Sequence, residues 1–266
     1  MKRRAYVVGL LGSASLAAGC SDALPEVGTS ESELVAETVH HVLLASGGFG
    51  SCSPDGVRGV LPSALRPLVQ EIASRTSNEP TVVRTCFGGV GEPDRMEFAV
   101  SRGPFMLGGG TTTVANLEAR LRTILDDMAP SRLDAYGHSH GGWLAGRVVL
   151  DLAGGGTDWR VANLYMSDPI SRTQCTPQVV ISGAFRSPEC ARFPRDLDPA
   201  RLRAAVPGYF GTAYQTDDWL HSTPASGAEN RFLNPGYRVS LLAQNHRALY
   251  ELPLTLGLVS GKFVYR

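Results

Sequence analysis

The sequence predicts an α/β fold, with a mostly parallel sheet covered by helices on both faces. Three observations predict it. Short apolar, strand-like runs alternate with amphipathic helical segments along most of the chain. The polar residues suited to chemistry fall just after the strand-like runs, the end at which parallel sheets hold their sites. And 266 residues, 43% hydrophobic and 19% charged, can bury one large core, which excludes general disorder.

Each element has its own warrant. Thr38–Ala45 is a short apolar run closed by the Gly-rich Ser46-Gly47-Gly48-Phe49-Gly50, as a buried strand entering a loop would be. In Val57–Arg75, Val60, Ala64, Leu65, Leu68, Val69 and Ile72 recur at helical spacing, with Pro62 early enough to be tolerated. Thr81–Phe87 reads as a second strand, and the stretch that follows reads as a loop ending in Gly108-Gly109-Gly110. Thr112 can cap a helix whose stripe is Val114, Leu117, Leu121, Ile124 and Leu125, and Pro130 ends it. Leu133–Tyr136 is a third strand, followed by Gly137-His138-Ser139-His140-Gly141-Gly142 and a helix running to about Ala153. Val161–Met166 is a fourth strand that ends at Ser167-Asp168-Pro169, and Gly208–Tyr214 a fifth. A last amphipathic segment, Arg247–Val259, follows His246.

The chain opens on an address. Lys2, Arg3 and Arg4 precede an apolar stretch and then small residues, the pattern of a secretory signal peptide. Its end, Leu16-Ala17-Ala18-Gly19-Cys20, resembles a bacterial lipobox, in which the Cys is lipidated and becomes the new N-terminus. Ser21, not Asp, follows Cys20; the resemblance then implies export with a lipid anchor, the outer membrane before the inner. Residues 1–19 are thus the signal peptide and 20–37 a tether. Five acids and no base between 21 and 38 suit a solvated segment. The folded body is a single domain, 38–266. Acidic and basic residues balance at 25 each with no basic run in the body, so nucleic acid is not an expected partner.

Export changes the reading of the cysteines. Cys52, Cys86, Cys175 and Cys190 remain, and an oxidising compartment favours disulfides. Cys52 follows the first strand and Cys86 ends the second, so neighbouring strands would pair them. Cys175 and Cys190 would then close a short loop. No C-x-x-C spacing points to zinc, and His40, His41, His138 and His140 have no supporting carboxylate spacing for a metal.

Gly137-His138-Ser139-His140-Gly141 fits G-x-S-x-G, between a predicted strand and a predicted helix. A Ser hydroxyl is a weak nucleophile and must be held exposed beside a base. A sharp strand-to-helix turn does that, and the helix N-terminus behind it offers N–H donors to an oxyanion. On this motif and the element order, residues 38–262 resemble the α/β-hydrolase superfamily, in its lipase and esterase branch. The first strand of this chain matches the family's third, so the two early antiparallel strands are missing or reduced.

The resemblance implies a serine hydrolase without a cofactor, acting on a small-molecule or lipid ester, with Ser139 as nucleophile. The membrane is a partner through the anchor only. His246, just before the last helix, is the implied base, with His221 its rival. The acid is Asp168, set at a strand end and stiffened by Pro169, or else Asp217 or Asp218 in the later position. The loop at 46–50 would supply an oxyanion donor, the N–H of Phe49 (or of Gly48), with that of His140 as the second. Residues 171–207 would form a cap-like insertion; Arg172, Arg186, Arg192, Arg195, Arg201 and Arg203 read mainly as its solvated face, and otherwise as groups for an acidic substrate. A surface lipoprotein that keeps this scaffold only as a binding module is the alternative.

Overall fold

A computed structural model describes residues 38–48, 51–52, 65–76, 78–88, 95–176, 187–237, 243–249 and 261–265. The signal peptide, Cys20, the tether, Phe49, Arg186 and residues 250–259 of the last segment lie outside them. So does the first half of the helix expected from Val57.

The strands are β1 (His40–Ser46), β2 (Thr81–Phe87), β3 (Met96–Arg102), β4 (Phe105–Thr112), β5 (Ser131–His138), β6 (Trp159–Ser167), β7 (Phe210–Tyr214) and β8 (Glu229–Phe232). They form one sheet in the order β4-β3-β2-β1-β5-β6-β7-β8. From β2 through β8 all neighbours in that order pair parallel, while β3 and β4 are antiparallel. The parallel strands β1, β2 and β5 are buried along almost their whole length, because helices cover both faces. On one face α2 (Val114–Asp127), α3 (His140–Asp151) and α4 (Pro199–Ala205) pack Leu117, Leu121, Leu144, Val148 and Leu202 onto Val42, Leu44, Leu133 and Leu164. On the other, α1 (Arg66–Thr76) lays Leu68 and Ile72 against Leu43 and Val82. This is the expected α/β architecture, a mostly parallel sheet covered by helices on both faces.

Chain order reverses at β1: β2 lies on one side of it and β5 on the other. The crevice outside the carboxyl ends of β1 and β5 is therefore the switch point at which such sheets bind ligands.

The structure departs from the sequence reading in four places. The supposed loop before Gly108 is the hairpin β3–β4, which completes the sheet edge; the edge comes from within the chain rather than from strands before β1. Its Gly109 lies so close to the neighbouring strand that a Cβ would stand 2.8 Å from the Phe98 carbonyl oxygen. The α2 cap is Thr113, whose side chain accepts from Asn116 N, not Thr112. His246 lies inside a short helix, α5 (Gln244–Ala248), rather than ahead of one. And α4, within the expected cap, places Leu202 and Val206 in the same core cluster as α3. Asp198 caps α4 and Pro199 opens it.

The described residues hold two disulfides, Cys52–Cys86 and Cys175–Cys190, the first as read from strand adjacency and the second as the short loop left to the other two cysteines. At the amino ends of the strands lies a buried polar network. His41 Nδ1 donates to Asp134 Oδ2 at 2.7 Å, and Asn163 Nδ2 donates to Asp134 Oδ1 at 2.6 Å and to the Val264 carbonyl at 3.0 Å.

Candidate active site

Ser139 follows β5 and precedes α3 with φ 57° and ψ −129°. This is sparsely populated backbone for a side chain with a Cβ, and holding it costs on the order of 1–3 kcal/mol. Its own peptide groups hold it there. Ser139 N–H donates to Ser167 O at 3.0 Å, and Ser139 O accepts from Gly142 N at 2.9 Å, Trp143 N at 3.2 Å and Ile170 N at 3.1 Å. The turn is thus tied to the first turn of α3 and to the chain just past Asp168. Both motif glycines are required by close approach: a Cβ at Gly137 would collide with the Gly141 carbonyl, and one at Gly141 with the carbonyls of Ser46 and Gly47.

The loop after β1 passes over Ser139. A Cβ on Gly48 would lie 2.7 Å from Ser139 Cβ and 3.2 Å from its Oγ. Gly47 N–H donates to Thr85 O at 2.9 Å, and the Cys52–Cys86 bridge fixes the loop's far side to β2. His140 opens α3, so its backbone N–H belongs to the turn whose donors have no acceptor within the helix.

Asp168 directly follows β6, at φ 45°, and is fully buried. His246 Nδ1 donates to its Oδ2 at 2.7 Å, Gln215 Nε2 to the same oxygen at 3.1 Å, and Ser222 N–H to Oδ1 at 2.5 Å. With Nδ1 donating, the lone pair of a neutral His246 ring is on Nε2. The His246 ring lies 4.8 Å from that of His138, the residue before Ser139, with the two planes tilted by 36°. His138 Nε2 in turn donates to the His246 carbonyl at 2.9 Å. Ser139, Asp168 and His246 are thereby gathered at one rim, and each is at most 5% exposed.

The alternative acids sit differently. Asp218 is buried but accepts the backbone N–H of His246 at 2.9 Å and Asn245 Nδ2 at 3.3 Å, so it anchors α5 rather than the imidazole. The backbone N–H groups of Asp217 and Asp218 both donate to Gln215 Oε1. Gln215 therefore braces the Asp168 carboxylate with one end and the 217–218 turn with the other. The sequence reading missed Gln215 and Ser222, and no local motif announces either. The rival base, His221, donates Nδ1 to the Ser222 carbonyl at 2.7 Å and lies beside Cys190.

Two further imidazoles border Ser139. Burial, with repulsion from His246, pushes His138 well below its ordinary range, against the bond to the His246 carbonyl. Burial also pushes His140 down to about 3, opposed by its Nε2 bond to the Cys175 carbonyl and aided by Arg172 and His246. Both stay neutral and hold loops in place. His40 and His41 lie at the opposite end of the sheet, so the four histidines do not converge. Among the described residues the one group with metal-ligand spacing is Cys52, Cys86 and Glu97, and its two sulfurs are bonded to each other.

The arginines of 171–207 are largely engaged nearby. Arg192 and Arg195 pair with Glu189, Arg203 donates to the Val206 and Gly208 carbonyls, and Arg172 lies 4.6 Å over the Phe87 ring.

No protein-family model matches the chain. No curated protein matches it either. Among solved structures, it is similar to a provisionally assigned hydrolase from Agrobacterium vitis S4, at 15% identity and a TM-score of 0.39, over 80% of this chain and 87% of that one.

Proposed function

We propose that this chain is a serine hydrolase that transfers the acyl group of an ester to water. The observation that carries the reading is the 2.7 Å bond from His246 Nδ1 to Asp168 beside a Ser139 held in a strained strand-to-helix turn. Ser139 Oγ attacks the carbonyl carbon while its proton passes to His246 Nε2. Asp168 orients the ring and stabilises the imidazolium. The tetrahedral oxyanion takes hydrogen bonds from the backbone N–H of His140 and from the 48–49 loop. Collapse expels the alkoxide, which leaves with the proton from His246. Water then gives a proton to the same Nε2 and attacks the acyl-serine, freeing the acid and Ser139.

The same proposal includes the address: Cys20 carries a lipid that anchors the exported enzyme to the cell envelope, in the outer membrane. Cys20→Ala should then release the protein to the soluble fraction or block its processing.

A fluorophosphonate probe tests the chemistry. Labelling of Ser139, lost in Ser139→Ala and strongly reduced in His246→Ala, is the expected result. A folded protein that the probe leaves untouched would instead be a binding module on the hydrolase scaffold.

A further inference from the structure

At the rim of the sheet opposite Ser139, two arginines stand side by side. Arg132 and Arg160 are the second residues of β5 and β6 and are direct register partners. Neighbours in register share a face, and like charges so placed repel. Among the described residues neither guanidinium has a carboxylate within ion-pair distance. The buried acid nearby is already taken: both oxygens of Asp134 accept hydrogen bonds, from His41 and Asn163. Burial and the repulsion of Arg160 hold Arg132 below its ordinary value, with Asp134 opposing them.

The pair borders a concavity. Arg132 and Arg160 line a cleft of about 160 Å³ together with Ala162, Pro207, Gly208 and Val264. A third guanidinium, that of Arg203, donates to the Gly208 carbonyl at 3.1 Å, adding positive charge behind the cleft wall. A cleft of that volume has room for one compact polyatomic ion. Arginine forks match the oxygens of such an ion in pairs.

We propose that this cleft binds a single tetrahedral oxyanion, phosphate or a small phosphate monoester, bridged by Arg132 and Arg160. The seven residues from Arg132 to Ser139 span about 23 Å of strand, so the site is separate from the candidate active site. The anion supplies a counter-charge that no described carboxylate gives the pair, and its binding stabilises the native chain.

Thermal unfolding of the full chain tests this, with phosphate exchanged for chloride at constant ionic strength and without reductant. A millimolar Kd would raise Tm by roughly 5 °C at 50 mM phosphate. Arg160→Gln and Arg132→Gln should each abolish that rise. In chloride alone Arg160→Gln, at an exposed position, should melt at or above the parent temperature, since a repulsion is removed. Glycerol phosphate should act as phosphate does. An equal phosphate response in the parent and both variants, or none in the parent, would overturn the proposal. Arginine-dependent pelleting with phosphatidylglycerol vesicles, without any response to phosphate, would overturn the assignment to a small anion.

Discussion

Replacing His140 by Gln should make the protein less sensitive to acid. In the folded chain burial pushes this imidazole down to about 3, while in the unfolded chain it titrates near the ordinary 6.5. Between those values the unfolded state binds more protons than the folded one. The stability is therefore complete above pH 6.5 and is lost as pH falls toward the folded value. From pH 7.5 to pH 5.0 one such group costs about 2 kcal/mol, at 1.36 kcal/mol per unit over about 1.5 units. The glutamine amide would keep an N–H for the Cys175 carbonyl but has nothing to titrate. His138, pushed down in the same way, stays in the variant, so some acid loss persists. Urea unfolding of parent and variant at both pH values, with the disulfides intact, measures the difference directly. The acid loss should be smaller by about 2 kcal/mol in the variant, or roughly 4–8 °C in melting temperature for a domain of this size. An equal acid loss in the two proteins would refute a buried, neutral His140.

Three further outcomes follow from the site. Asp168→Asn should lower turnover by up to ~10⁴ with the fold retained, because the amide no longer fixes the imidazole tautomer. Asp218→Asn should cost far less and Asp217→Asn almost nothing; turnover of one ester, with folding checked by circular dichroism, ranks them. Gly48→Ala should reduce kcat about 10²-fold with little loss of stability, since its Cβ would stand 2.7 Å from Ser139 Cβ and must displace Ser139. Removing the Cys175–Cys190 bridge, which closes a 15-residue loop, should cost about 3 kcal/mol, and that of Cys52–Cys86, with a separation of 34, about 4 kcal/mol. Denaturant midpoints of the double alanine variants read both, and equal midpoints in parent and variants would contradict the loop-entropy argument.

The parallel core was legible because its strands are short apolar runs and its helices carry clear stripes. The Ser139 turn was legible for the same reason: the motif sits between two strong signals, and its glycines answer to contacts that any such turn must make. The hairpin β3–β4 was not. Three consecutive glycines in β4 look like a loop, and of them only Gly109 answers to a close approach, that of the Phe98 backbone. Yet Met96, Phe98 and Val100, all buried on alternate positions, were a strand signal in plain view. For α4, the Asp198 cap and Pro199 with Leu202 and Val206 four apart were a helix signal of the same kind. The polar β8 had none.

Within the site, Asp168 could be argued from its strand end and the following Pro. The role of Asp218 could not, because it acts on the backbone of His246 across 28 residues. The His41–Asp134 bond joins residues 93 apart, which no spacing rule reaches.

The central claim is that Ser139 becomes acylated and that His246 and Asp168 make it reactive. Mass spectrometry of the protein quenched within milliseconds of mixing with a p-nitrophenyl ester tests it most directly. One acyl group on the peptide containing Ser139, formed in a burst with p-nitrophenol and absent in Ser139→Ala, is the expected result. Hydrolysis that proceeds unchanged in Ser139→Ala, or an acyl group found on another residue, would contradict the account.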